Sequence, residues 1–107
     1  MYSYVWLYVV KPECFEAFRI AYGPEGEWVQ LFRRDPKYIR TNLLRDCQSP
    51  SRFMTIDYWT SREAFVSFRE RFSAEFESLD KSCSQFTVQE SHLGDFDVLD
   101  DDASPRH

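Results

Sequence analysis

Residues that usually advertise chemistry are scarce in this 107-residue chain, which has two histidines, three cysteines and three glycines. Cys14, Cys47 and Cys83 are odd in number and sit at neither metal-ligand nor disulfide-framework spacing, which points to reduced thiols in a cytoplasm. None has a histidine neighbour in sequence to activate it as a nucleophile. No second His or Cys stands at ligand spacing from His92, so no metal is expected. Positive charge is also short. Thirteen Lys and Arg against eighteen Asp and Glu leave a net charge of −5, and the basic residues are scattered. That excludes a stripe for neutralising phosphates, and with it nucleic acid as the expected partner. No apolar run reaches membrane length and the N-terminus has no signal-peptide pattern, so the sequence reads as cytoplasmic with no membrane partner. No metal or flavin motif is visible, and no cofactor is expected.

What the chain has in excess is aromatic bulk: ten Phe, six Tyr and three Trp. A chain of this size forms one domain that hides about two thirds of its unfolded surface, so a large pocket would hollow out much of its single core. Phe can line a cavity without partners, whereas each Tyr and Trp wants something for its O–H or N–H.

Residues 2 to 10, YSYVWLYVV, alternate Tyr2, Tyr4, Trp6 and Tyr8 with Val5, Leu7 and Val9, so neither side of this strand suits water. Pro12 starts a helix over Glu13 to Tyr22 with Phe15, Phe18, Ala21 and Tyr22 as its stripe. The GPEG at 23 to 26 interrupts it, and EWVQLFRR then turns Trp28, Leu31 and Phe32 inward. Strands over Tyr38 to Cys47 and Arg52 to Trp59 flank the turn QSPS. Thr60 and Glu63 are spaced as a capping box ahead of a helix striped by Phe65, Phe68, Phe72, Phe76 and Leu79. Its other side, with Arg62, Glu63, Arg69, Glu70 and Glu77, reads as a solvated face. A last strand spans Gln85 to Leu93, and residues 96–107 form an acidic tail expected to be disordered. The domain is therefore 1–95.

The order strand, helix, strand, strand, helix, strand with right-handed crossovers predicts an α+β fold. It is a ferredoxin-like βαββαβ plait with a four-stranded antiparallel sheet and both helices on one face. The other face stays apolar and bare, and a second copy of the chain is its expected cover, giving a homodimer with sheets face to face.

TNLLRD at 41 to 46, RFMTIDYWTSREAFVSF at 52 to 68 and AYGPEGEWVQLF at 21 to 32 resemble the antibiotic biosynthesis monooxygenase superfamily of dimeric α/β barrels, over nearly the whole chain except the tail. The resemblance implies a pocket between sheet and helices with Trp59 pointing into it. Haem-degrading members need a histidine on the second helix and an asparagine on the first strand. Here the second helix has no histidine and the first strand offers Trp6 or Leu7, which disfavours haem degradation.

If the turn pairs Cys47 with Arg52, antiparallel register sets Leu44 opposite Thr55, Asn42 opposite Asp57 and Arg40 opposite Trp59. With Trp59 inward, as the resemblance implies, Arg40, Asn42 and Asp57 form a polar patch. Phe18, Tyr22, Phe68 and Phe72 roof it, and Trp6 and Tyr8 close it. The expected chemistry is cofactor-independent oxygenation of a small aromatic or quinol-like molecule. Asp57 would serve as general base, Arg40 and Asn42 would bind the oxyanion, and Trp59 with Tyr8 would stack on the ring. Other readings stay open: Arg40 and Asp57 as a cross-strand ion pair, Trp59, Phe18 and Tyr22 as packing, and the protein as a non-catalytic ligand binder or structural dimer.

Overall fold

The computed structural model of the chain describes residues 1–100. Its first strand, β1 (Tyr2–Val10), is followed by a single 3₁₀ turn at Pro12–Cys14 and two short helices, α1 (Phe15–Tyr22) and α2 (Glu27–Phe32). The hairpin of β2 (Tyr38–Arg45) and β3 (Arg52–Trp59) leads to α3 (Arg62–Arg71) and α4 (Ser73–Cys83), and β4 (Thr87–Asp97) ends the domain. The strands lie in the order β2-β3-β1-β4, every neighbouring pair antiparallel, which is the ferredoxin-like α+β plait. Among the described residues no helix is long and apolar enough to cross a membrane.

The two-sided β1 takes a central position between β3 and β4, where a strand with no polar face costs least. Its even residues meet the helices: Tyr2, Tyr8 and Val10 are buried with Phe18 and Tyr22 of α1 and Trp28, Leu31 and Phe32 of α2. Its odd residues, with Met54, Ile56 and Tyr58 of β3, form the opposite face, on which no helix of the described chain is packed.

The register of the hairpin differs from the sequence expectation by one residue. Asp46, not Cys47, closes it: its backbone N–H donates to the Arg52 carbonyl, and its carboxylate accepts from the N–H groups of Gln48 and Ser49. This aspartate turn lengthens the loop, so Leu43 rather than Leu44 opposes Thr55 and Thr41 rather than Asn42 opposes Asp57. A one-residue slip moves every side chain of the strand to the other face. Arg40 therefore opposes Tyr58, with its guanidinium 4.1 Å over that ring, Asn42 is exposed opposite Ile56, and Tyr38 opposes Trp59 across an irregularity at Ile39.

Three further expectations are corrected. The N-cap of α3 is Ser61, whose hydroxyl accepts from Ala64 N–H; the pair Thr60 and Glu63 does not form the box. The helix expected to run on through Leu79 breaks at Phe72 (φ −111°, ψ 28°) into α3 and α4. The last strand starts later and runs longer than expected, from Thr87 to Asp97, with irregularities opposite Val9/Val10 and Val5/Trp6. Gly94 sits at the second of these with φ +153°. Asp97 thus closes the sheet beside Tyr2, and residues 101–107 of the acidic tail lie outside the described residues.

Candidate functional site

A cavity of about 440 Å³ opens between the sheet and the helix layer. Its floor is laid by side chains that share the helix-facing side of three strands: Tyr4, Trp6 and Tyr8 of β1, Thr55 and Asp57 of β3, and Thr41 of β2. Trp28 and Phe32 of α2, Phe65 and Arg69 of α3, and Phe76 of α4 stand against them. Tyr22, Asp80 and Glu90 complete the lining. The short α2 exists because the GPEG break turns the chain before Glu27, and that turn brings Trp28 to this wall. The helical pieces differ here from a purely solvated face, since Arg69 reaches the cavity with its guanidinium 3.9 Å over the Phe76 ring.

Asp57 is the chemically distinctive group. It is only 8 % exposed, and burial pushes its carboxyl up to about 7, against the opposing hydrogen bond from Thr41. Thr41 Oγ1 donates to Asp57 Oδ1 at 2.7 Å, and the Tyr38 hydroxyl lies 2.7 Å from the same Thr41 oxygen. A threonine hydroxyl that gives its one proton to a carboxylate can only accept from Tyr38, so the ionised acid orders the chain Tyr38, Thr41, Asp57. The second carboxylate oxygen has no hydrogen-bond partner among the described residues. Asp57 carries no ion pair there either. A carboxyl of this kind, at the wall of a cavity, ionises near neutral pH and can exchange a proton with a bound molecule.

The buried phenols of the lining stay neutral. Burial pushes the Tyr8 phenol well above its usual range, and the Tyr8 hydroxyl rests 3.1 Å from Thr55 Oγ1. Burial raises Tyr22 likewise. The Trp28 indole N–H stands near the Tyr22 hydroxyl and the Cys83 thiol without closing a hydrogen bond to either. Among the described residues, no three His, Cys, Asp or Glu side chains are grouped so as to hold a metal ion.

Of the residues expected from sequence, Asp57, Trp6, Tyr8 and Tyr22 line the cavity. Arg40 and Asn42 do not, because the register places them on the opposite side of the sheet. Trp59 faces the helices but is packed shut, 0 % exposed among Phe32, Tyr38, Phe65 and Phe68. Phe68 belongs to that same packing, and Phe18 is stacked on Tyr22 at 4.2 Å with no exposed surface. Phe72 lies at the helix break beneath Arg34 and Arg71. Thr41, Thr55, Tyr4, Trp28, Phe32, Phe65, Arg69, Phe76, Asp80 and Glu90 were missed. The signal for Tyr4 was present in its phase with Trp6 and Tyr8, and that for Thr55 in its phase with Asp57 and Trp59; Thr41 needed the correct register. His92 pairs with Trp6 across β1 and β4, its ring 4.6 Å from Tyr4 and 5.3 Å from Trp6, and it is exposed.

The chain shares its fold with solved proteins described as antibiotic biosynthesis monooxygenases or cofactor-independent oxygenases over nearly its full length. SnoaB, a cofactor-independent oxygenase from Streptomyces nogalater, superposes with a TM-score of 0.72 at 20% identity, over 96% of this chain and 97% of that one. A candidate antibiotic biosynthesis monooxygenase from Deinococcus radiodurans gives 0.75 at 9% identity, covering 99% and 100%. Another from Nitrosomonas europaea gives 0.67 at 19%, covering 92% and 99%. No protein-family model and no curated protein matches the sequence.

Proposed function

We propose that the protein is a cofactor-independent monooxygenase acting on a small aromatic or quinol-like compound, with Asp57 as its base. The observation that carries this reading is a desolvated carboxylate with one unpaired oxygen at the wall of an aromatic cavity of about 440 Å³. Such a volume is within the range of small-molecule sites. The likeness in fold to a cofactor-independent oxygenase supports the choice of reaction.

Oxygenation without a cofactor requires a substrate that can itself pass an electron to O₂, which a phenolate or enolate does and its neutral acid does not. Asp57 takes the acidic proton. The anion gives one electron to O₂, and the resulting radical pair combines to form a C–O bond. The Asp57 carboxyl then returns its proton to the terminal peroxide oxygen, and O–O cleavage with loss of the second substrate hydrogen gives SH₂ + O₂ → SO + H₂O. Thr41 holds the carboxylate by Oδ1 and leaves the other oxygen for the substrate. Tyr4, Trp6 and Trp28 supply faces for an aromatic ring.

The assembly that fits this reading is a homodimer. Val5, Leu7 and Val9 with Met54, Ile56 and Tyr58 leave the sheet an apolar face that the helices do not reach, and a second copy related by two-fold symmetry would cover it.

Oxygen uptake with a panel of quinols and phenols, measured for wild type and Asp57→Asn, tests the proposal. Turnover by wild type is expected to rise with pH through about 7, as the base ionises, and to fall at least about 100-fold in the variant, the scale of a lost general base. Equal rates in both proteins would remove Asp57 from the reaction. Saturable binding with no uptake would make the cavity a binding site alone.

A further inference from the structure

The charges around the cavity do not balance. Asp57, Asp80 and Glu90 line it against the single guanidinium of Arg69, and none of these four takes part in an ion pair among the described residues. Arg69 is instead spent on the face of Phe76. Burial holds the Tyr8 phenol protonated against the hydrogen bond from Thr55, and the charges of Asp57, Glu90 and Asp80 act in the same direction as burial. Asp57, one of the three, is more than nine-tenths buried in the cavity wall and has one carboxylate oxygen without a hydrogen-bond partner among the described residues. The carboxylates are not grouped as metal ligands. What this arrangement lacks is a dispersed positive charge carried in on an organic molecule. The walls suit that as well, because Tyr4, Trp6 and Trp28 offer π-faces that attract cations and aromatic rings alike.

We infer that the ligand of this cavity is an aromatic compound bearing a protonated amine, with its ring among Tyr4, Trp6 and Trp28 and its ammonium directed to the carboxylates of the lining, Asp57, Asp80 and Glu90. The inference rests on the cavity being the functional site, and it narrows the class of compound to be tested there. It also removes a difficulty in the chemistry. Generating a substrate anion beside three carboxylates is unfavourable, whereas a substrate that brings its own cation offsets that repulsion and holds Asp57 in its ionised, proton-accepting form. The base is then armed by the molecule it acts on. The net charge of −5 favours encounter with such a ligand.

Calorimetric titration of the full chain at pH 8 with 2-naphthylmethylamine, 2-naphthylmethanol and 2-naphthoate tests this with three probes of one shape and different charge. The amine is expected to bind at least about tenfold more tightly than the alcohol, the scale of one desolvated cation–π and charge contact, with the carboxylate weakest. In the double variant Asp80→Asn/Glu90→Gln, whose side chains are not part of the packed core, the amine should lose most of that advantage while the alcohol is unchanged. Equal binding of amine and alcohol to wild type, or an advantage that survives the double variant, would overturn the charge inference and leave the site standing. Absence of binding by all three at millimolar concentration would overturn both.

Discussion

The two ends of the layer between sheet and helices are built from the same aromatic material and yet one is solid and the other hollow. Around Trp59, rings from β2, α2 and α3 meet the indole at centroid distances from 4.9 to 5.7 Å, two of them edge to face and two tilted, and its N–H is buried without a hydrogen-bond partner among the described residues. Around Tyr8 the rings are as large, but Thr41, Thr55, Asp57 and Glu90 share their face. The hydrogen bonds of Thr41, Thr55 and Asp57 run sideways, to one another and to Tyr38 and Tyr8, and leave the space above them open. The difference teaches that the hollow end is the one where polar residues share the floor with the aromatics. Aromatic content alone would have given a second plug.

The comparison can be broken most decisively at the solid end. Trp59→Ala removes a wholly buried ring from close packing and should cost about 3–5 kcal/mol in urea unfolding, the range for large aromatic truncations. A cost below about 1.5 kcal/mol would mean that this end is as loosely filled as the other.

At the hollow end, replacing the buried acid should stabilise. The folded-state pKa of Asp57 is about 7, above its ordinary value of 3.8, so the fold favours the neutral acid. Below about pH 4 both states are protonated and no penalty exists. Between about pH 4 and 7 the unfolded chain ionises while the folded one keeps its proton, and above 7 the penalty is complete, on the order of 4 kcal/mol. Asp57→Asn should therefore gain on wild type progressively from pH 4 to 8 in urea midpoints. A difference independent of pH would show that the carboxyl is solvated.

The smallest effect belongs to Trp6→Ala, which only widens an existing cavity. It should cost about 1–2 kcal/mol, well short of Trp59→Ala, in the same assay. Comparable costs at the two tryptophans would erase the distinction between plug and pocket.

The sequence showed the plait plainly, because the doubly apolar first strand needs a central place and the Phe65, Phe68, Phe76 spacing needs a helix over it. The direction of Asp57 followed from the same alternation. The site around it was less legible for a local reason. Asp46 begins the turn one residue before Cys47, the residue next to the Gln-Ser-Pro-Ser segment that marks it, and that single step exchanged Asn42 for Thr41 beside the acid. The helix roof was misread where Phe72 ends one helix and starts the next, which turns Phe76 and Asp80 toward the cavity and leaves Phe72 outside. Helical spacing continues across such a break without a mark in the sequence. Which end of an aromatic layer is empty depends on contacts between segments far apart in the chain, and no local pattern encodes it.

The glycine at position 94 has a consequence for the sheet margin. β4 is an outer strand of eleven residues with Val88, Leu93 and Phe96 open to solvent, an edge to which a stray chain could add. The backbone turn at Gly94 interrupts its ladder midway, and the Phe96 ring lies 3.1 Å from where any larger residue would place its first side-chain carbon. That kink divides the border into two short stretches of different alignment, so an incoming strand that matches one is out of step with the other, and the kink adds to the charges of Glu90, Asp95 and Asp97 in checking self-templating.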